Sequence, residues 1–126
     1  MLERLLVTGA AGGVANLLRP RLQGVCKKFR LTDIRHFASV SDSDEIIIGD
    51  LADSAFVDRL VQDCDGVLHL GGVSTEQSFE EIMPANIVGV YNIYRAAAKC
   101  DRPRVIFASS NHVVGAYGTQ VTITPN

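Results

Sequence analysis

Five short apolar runs punctuate this chain, and the segments between most of them carry apolar residues at helical spacing. Leu5-Leu6-Val7 is the first run, closed by Thr8-Gly9. Phe29 to Ile34, with Asp33 at its end, is the second, and Ile46-Ile47-Ile48 the third. Gly66 to Leu70 and Arg104 to Ala108 complete the set. These runs are continuous rather than alternating, which is the pattern of parallel strands buried on both faces. Between the first two, Gly12 to Gln23 places Val14, Leu17, Leu18 and Leu22 on one helical face and meets Gly24. Pro20 sits late in that helix, removes a hydrogen bond and predicts a kink or early fraying.

Further on, Asp53 suits the cap of a helix over Ser54–Gln62. Ser78-Phe79-Glu80-Glu81 has the reciprocal capping pattern and opens a helical turn. Pro84 suits the first position of a longer helix to Lys99, with Ile87, Val90, Tyr91 and Tyr94 along one face. A polar loop, Ser39 to Asp44, joins the second and third strands, with or without a short helix. Residues after Gly118 have no evident partner. Strands alternating with helices imply an α/β fold: a doubly wound parallel sheet of about five strands in the order 3-2-1-4-5, in one domain over residues 1–126.

Composition narrows the function classes. The 126 residues are 47% hydrophobic and 21% charged, enough for a real core. With a net charge of −2 and no basic stripe, nucleic acid is not an expected partner. Lys27-Lys28-Phe29-Arg30, the densest basic spot, reads as the flank of a strand. No run reaches membrane-spanning length, and the first residues run straight into a glycine loop, unlike a signal peptide. Cys26, Cys64 and Cys100 are odd in number and far apart, which reads as reduced thiols in a cytoplasmic protein. His36, His69 and His112 do not join them at ligand spacing, so no metal is expected. His69 reads as a satisfied structural histidine.

The chemistry starts at Gly9-Ala10-Ala11-Gly12-Gly13-Val14-Ala15, between the first strand and the first helix. Phosphate oxygens need close backbone N–H donors, and a side chain would block that approach; the helix start adds partial positive charge. Asp33 stands 24 residues after Gly9 at the end of the second strand, where a carboxylate can accept hydrogen bonds from an adenosine ribose. It would repel a 2′-phosphate, so NAD is preferred to NADP, with Arg35 close by. The loop lacks a Gly-Lys-Ser/Thr ending and is not a nucleoside-triphosphate loop.

Thr8 to Ala15 resembles the TGxxGxxG loop of the extended short-chain dehydrogenases/reductases, the NAD-dependent epimerase/dehydratase superfamily, with Ala15 for the third glycine. The resemblance implies cofactor contacts from Gly9, Ala11, Gly12, Gly13, Val14 and Asp33. It adds Asp50 and Leu51, which match an Asp-Leu pair near the adenine. It also adds Leu70, Gly71 and Gly72 after His69, which are similar to the HLAA strand end, and Asn86, similar to a helix asparagine near the active site. Within the superfamily, Gly71 to Ser74 and Phe107 to His112 look like the uronate dehydrogenases, and the match runs along the whole chain. Those enzymes oxidise C1 of galacturonate or glucuronate to an aldarolactone with NAD. By resemblance Ser110 is the catalytic serine, and Ser74, Asn111 and His112 contact the substrate.

The same resemblance demands a YxxxK pair as the base, about two dozen residues past the serine, and the chain stops 16 residues past Ser110. Tyr91, Tyr94 and Tyr117 are followed four positions on by Arg95, Ala98 and Val121, so none supplies it. The chain therefore looks like the N-terminal half of such an enzyme, inactive alone, with an apolar edge at its fifth strand and a possible homo-oligomer face around Tyr91 and Tyr94. Core packing is the competing explanation of those tyrosines. Two other readings stay open: a nucleotide-sugar epimerase or dehydratase, and a dinucleotide-binding module without chemistry.

Overall fold

The computed structural model of the chain describes residues 1–38, 41–101, 103–118 and 120–124, without the side chains of Asn111 and Val114. Ser39 and Val40 of the expected loop, and Thr119, Pro125 and Asn126 of the tail, lie outside the described residues. Five strands form one parallel sheet: β1 (Leu2–Thr8), β2 (Cys26–Asp33), β3 (Glu45–Ile48), β4 (Gly66–His69) and β5 (Arg104–Phe107). Their spatial order is β3-β2-β1-β4-β5, the doubly wound order of a Rossmann fold. In register, Thr8 lies beside Thr32 on one side and His69 on the other, and His69 beside Phe107. The C-terminal ends of the central strands are therefore level.

The continuous apolar runs have the expected cause. In β1, Leu6 joins Val67 under the helices α2 (Ser54–Val61) and α4 (Val90–Lys99), in a cluster with Val57, Leu60, Ile93 and Ala96. Leu5, Val7 and Leu31 face the other way and pack with Ala15 of α1 (Gly13–Leu18). Each fully buried leucine or isoleucine contributes roughly 1.5–3 kcal/mol relative to exposure. Asp53 caps α2, its Oδ1 accepting from the N–H groups of Ala55 and Phe56 at 2.9 and 3.1 Å.

The kink or early fraying expected at Pro20 is present, while the buried face of the first helix and the start and the face of the last are corrected. The first helix stops at Leu18 and tightens into a 3₁₀ turn, Arg19–Leu22, where Pro20 sits. Its contact with the sheet is Ala15, while Val14 and Leu17 are exposed. The last long helix starts at Phe79, not at Pro84. Ser78 and Glu81 close the capping box of α3 (Phe79–Met83), which runs on through Pro84–Gly89, a π-helical segment, into α4. Pro84 lacks the N–H that an α turn would use, and the wider turn accommodates it. As a result Ile87, Tyr91 and Tyr94 point outward, and Asn92, Ile93, Ala96 and Ala97 form the buried stripe. Core packing does not explain the two tyrosines.

The basic spot lies inside β2 rather than beside it. Arg30 is buried, donates to the carbonyls of Leu60 and Gln62 at 2.8 and 2.7 Å and pairs with Glu45 at 2.9 Å. It thereby ties the end of α2 to two strands. The hydrogen bond from Arg30 holds the Glu45 carboxyl below the usual range. No helix among the described residues is long and apolar enough to cross a membrane.

Candidate functional site

At the C-terminal ends of β1 and β4 the sheet opens a cleft of about 240 Å³. This is the topological switch point, where successive connections leave to opposite faces and ligands bind in such sheets. Gly9, Gly12, Asp33, Asp50, Leu51, Leu70, Gly71 and Gly72, all among the expected cofactor contacts, line it. Thr32, Ile34, Arg35, Gly49, Val73 and Ala85 line it as well. Thr32 is brought there by the register of the strands, and Ala85 by the helical segment Pro84–Gly89.

The cleft's base is a contact between two main chains. Gly9 has φ +65°, and a Cβ there would lie 2.8 Å from Gly71 Cα, so no other residue fits. Gly12 donates its N–H to the Gly9 carbonyl at 2.9 Å and closes the turn. No side chain caps α1 at Gly12, which leaves its first N–H groups to an outside acceptor. A Cβ on Gly13 would meet nothing within 4 Å. The protein's own packing therefore does not demand glycine at Gly13, while a ligand lying close to the backbone would. Val14 is exposed beside it. Ala11 donates its N–H to Asp33 Oδ2 at 3.0 Å, so this carboxylate shapes the loop as well as the cleft wall. Asp33 Oδ1 accepts the Arg35 N–H at 3.0 Å, with Arg35 Nε 3.5 Å away. Asp50 turns the chain by accepting the Ala52 N–H at 2.9 Å.

The opposite wall is the strap from Leu70 to Ser74. Thr8 Oγ1 accepts the N–H groups of Leu70 and Gly71 at 3.2 and 3.0 Å and lies 2.6 Å from His69 Nδ1. With both lone pairs of Thr8 in use, its hydroxyl proton goes to Nδ1, which fixes the His69 proton on Nε2. His69 is fully buried, and Nε2 has no partner among the described residues. Burial pushes its pKa down to about 4. The ring stacks on Phe107, centroids 5.4 Å apart. It is a structural histidine, satisfied at one nitrogen only. Asn86 does not line the cleft; its amide holds Val73, accepting from the N–H at 2.7 Å and donating to the carbonyl at 2.9 Å.

Ser74 and Ser110 leave the C-terminal ends of neighbouring strands β4 and β5, and both are exposed. Ser110 Oγ accepts the His112 N–H at 3.1 Å and starts a 3₁₀ turn over Asn111–Val114. That bond leaves the hydroxyl proton of Ser110 available. His112 is exposed, and the side chain of Asn111 lies outside the described residues. Arg95, four residues after Tyr91, is bound to Asp58 at 2.8 Å and to the Ser54 carbonyl at 3.0 Å, so this pair cannot imitate a tyrosine–lysine base.

A sequence profile described as the NAD dependent epimerase/dehydratase family matches residues 5–125. The chain belongs to that family. Within it, uronate dehydrogenase from Pseudomonas syringae pv. tomato is 52% identical over 122 residues, covering 96% of this chain and 44% of that protein. Among solved structures, glucuronic acid dehydrogenase from Chromohalobacter salexigens superposes with a TM-score of 0.88 at 51% identity, over 93% of this chain and 44% of that one. A mutant uronate dehydrogenase from Agrobacterium tumefaciens, complexed with NAD, gives 0.83 at 45% identity, over 87% and 42%. The chain thus spans less than half the length of these epimerase/dehydratase relatives.

Proposed function

We propose that residues 1–126 form one NAD-binding domain of a uronate dehydrogenase-type oxidoreductase, the N-terminal part of a longer enzyme. The cleft carries this reading: a glycine turn that tolerates no side chain, facing a carboxylate at the end of β2, at the switch point of the sheet. The residues present suit the dinucleotide. Asp33 would accept the adenosine ribose hydroxyls, and the uncapped start of α1 at Gly12 and Gly13 would meet the pyrophosphate. Ala11 and Val14 would flank it, while Asp50 and Leu51 bound the adenine end. Leu70, Gly71 and Gly72 form the wall along its length. Bound NAD supplies the hydride acceptor. The protein's part is to hold substrate and cofactor in reacting geometry.

At the substrate end Ser110 is the residue that would donate a hydrogen bond to the oxygen on C1 of a hexuronate. Its position is supported by the His112 N–H it accepts. Ser74, Asn111 and His112 would hold the sugar hydroxyls and carboxylate. The tyrosine–lysine base of such chemistry is not among these residues. A second reading, a binding module without chemistry, draws on that same absence.

The test is a fluorescence titration of the chain with NADH and NADPH, followed by an absorbance assay with NAD and galacturonate or glucuronate. Saturable NADH binding, weaker NADPH binding and no turnover are expected. Absence of NADH binding overturns the reading, and turnover by a verified 126-residue product overturns the assignment of the base to other residues. Activity with both uronates when the C-terminal half of a uronate dehydrogenase is joined to this chain separates the enzyme from the inert module.

A further inference from the structure

We propose that Arg19 and Phe37 form a latch that fixes the lip of Ile34 and Arg35 beside Asp33, and so act as positioning residues for the choice of NAD over NADP; the inference rests on the nucleotide reading of the cleft. The lip is the chain leaving β2, and its hold on the body is narrow. Across residues 34–38 only Phe37 is not exposed. Its side chain packs against the cluster of Leu5, Val7, Ala15 and Leu31. Arg19 lies four residues after Ala15, on the helix face that meets the sheet. Its guanidinium carbon sits 5.7 Å from the centre of the Phe37 ring, within cation–π range.

Arg19 is only 6% exposed, and its partners are neutral. Nη2 donates to Asn16 Oδ1 at 2.8 Å, while Nε and Nη1 have no hydrogen-bond partner among the described residues. A buried cation normally sits against a carboxylate. Here the negative face of the aromatic ring takes that place, and the weak hydration of a guanidinium lowers the cost of burying it. A methionine would fill much of the same space with no charge to desolvate, so packing alone does not account for arginine. What the latch holds is a charge pair at the cofactor end. Arg35 donates its N–H to Asp33 Oδ1 at 3.0 Å, and its Nε lies 3.5 Å from the same oxygen. The Arg35 side chain is otherwise exposed, so the backbone of the lip decides where its guanidinium rests. Asp33 is the group that repels a 2′-phosphate, and Arg35 is the group able to pair with one. Held on Asp33, Arg35 is kept from that task; a loosened lip releases it.

Two conservative variants separate the parts: Phe37→Leu keeps the apolar contact and removes the ring, and Arg19→Met keeps the stem and removes the charge. NMR relaxation of the nucleotide-free chain tests the latch without reference to any ligand. In wild type the Ile34 and Arg35 amides should have order parameters near the ~0.85 of rigid backbone, and each variant should bring them below about 0.7 while Leu31 and Thr32 stay unchanged. Unchanged values at Ile34 and Arg35, or an equal fall at Leu31 and Thr32, overturn the latch. Fluorescence titrations with NADH and NADPH read the consequence. The ratio of the NADPH to the NADH Kd should fall about fivefold in each variant, and no further in the double variant, since both remove one contact. Phe37→Tyr, which retains the ring, should keep the wild-type ratio. Losses that multiply in the double variant overturn the pairing of Arg19 with Phe37. A ratio that stays at the wild-type value while the lip loosens overturns the link to cofactor choice. Wild-type protein that shows the relaxation pattern and binds no NADH overturns the nucleotide reading and leaves the latch standing.

Discussion

His69 is buried neutral and would gain a proton on unfolding at mildly acid pH. Its folded pKa is about 4 against an ordinary 6.5. Between those values the unfolded chain binds the extra proton, so stability falls as pH drops from about 6.5 to about 4 and this contribution is flat below that. The linked loss is of the order of 3 kcal/mol. Denaturant melts of wild type and His69→Gln across this range check it: the wild type's slope should exceed the variant's by one proton. Parallel curves would show that His69 does not carry the dependence. The sequence offers His69 only as a structural histidine. It gives no sign of the idle Nε2, because that depends on Phe107 and Thr8, 38 and 61 positions away.

Among elements, the strands and local caps were legible and the long-range ties were not. Asp53 and the Ser78–Glu81 box act on neighbours within three residues, so a short motif contains the whole interaction. Asp53→Ala should cost about 1 kcal/mol, read as a lowered unfolding midpoint with an unchanged m-value. A change below about 0.3 kcal/mol would mean that the N–H groups of Ala55 and Phe56 find equivalent partners in water. Arg30 was illegible for the opposite reason. Its partners lie on other elements, and in composition it is one basic residue in a strand. The helix over Pro84 was misplaced because the local rule for proline at a helix start takes no account of a π turn.

For the whole molecule, β5 is an edge with an uncovered face. Ile106 is 60% exposed and Phe107 39%, on a strand whose outer backbone groups have no strand neighbour among the described residues. Such an edge recruits copies of itself. The chain should self-associate with rising concentration, and Ile106→Lys should reduce this several-fold in sedimentation velocity; equal association by both would place the contact elsewhere, with the outward face of Tyr91 and Tyr94 next to test. The sheet order and the cleft at its switch point followed from counting strands and helices. The identity of six of the lining residues did not, since they come from separate segments that meet only once the chain is folded. The touching main chains of Gly9 and Gly71 have a mechanical meaning as well. With no side chain between them, the two strand ends meet backbone to backbone, so the floor of the cleft is set by main-chain atoms rather than by side-chain rotamers.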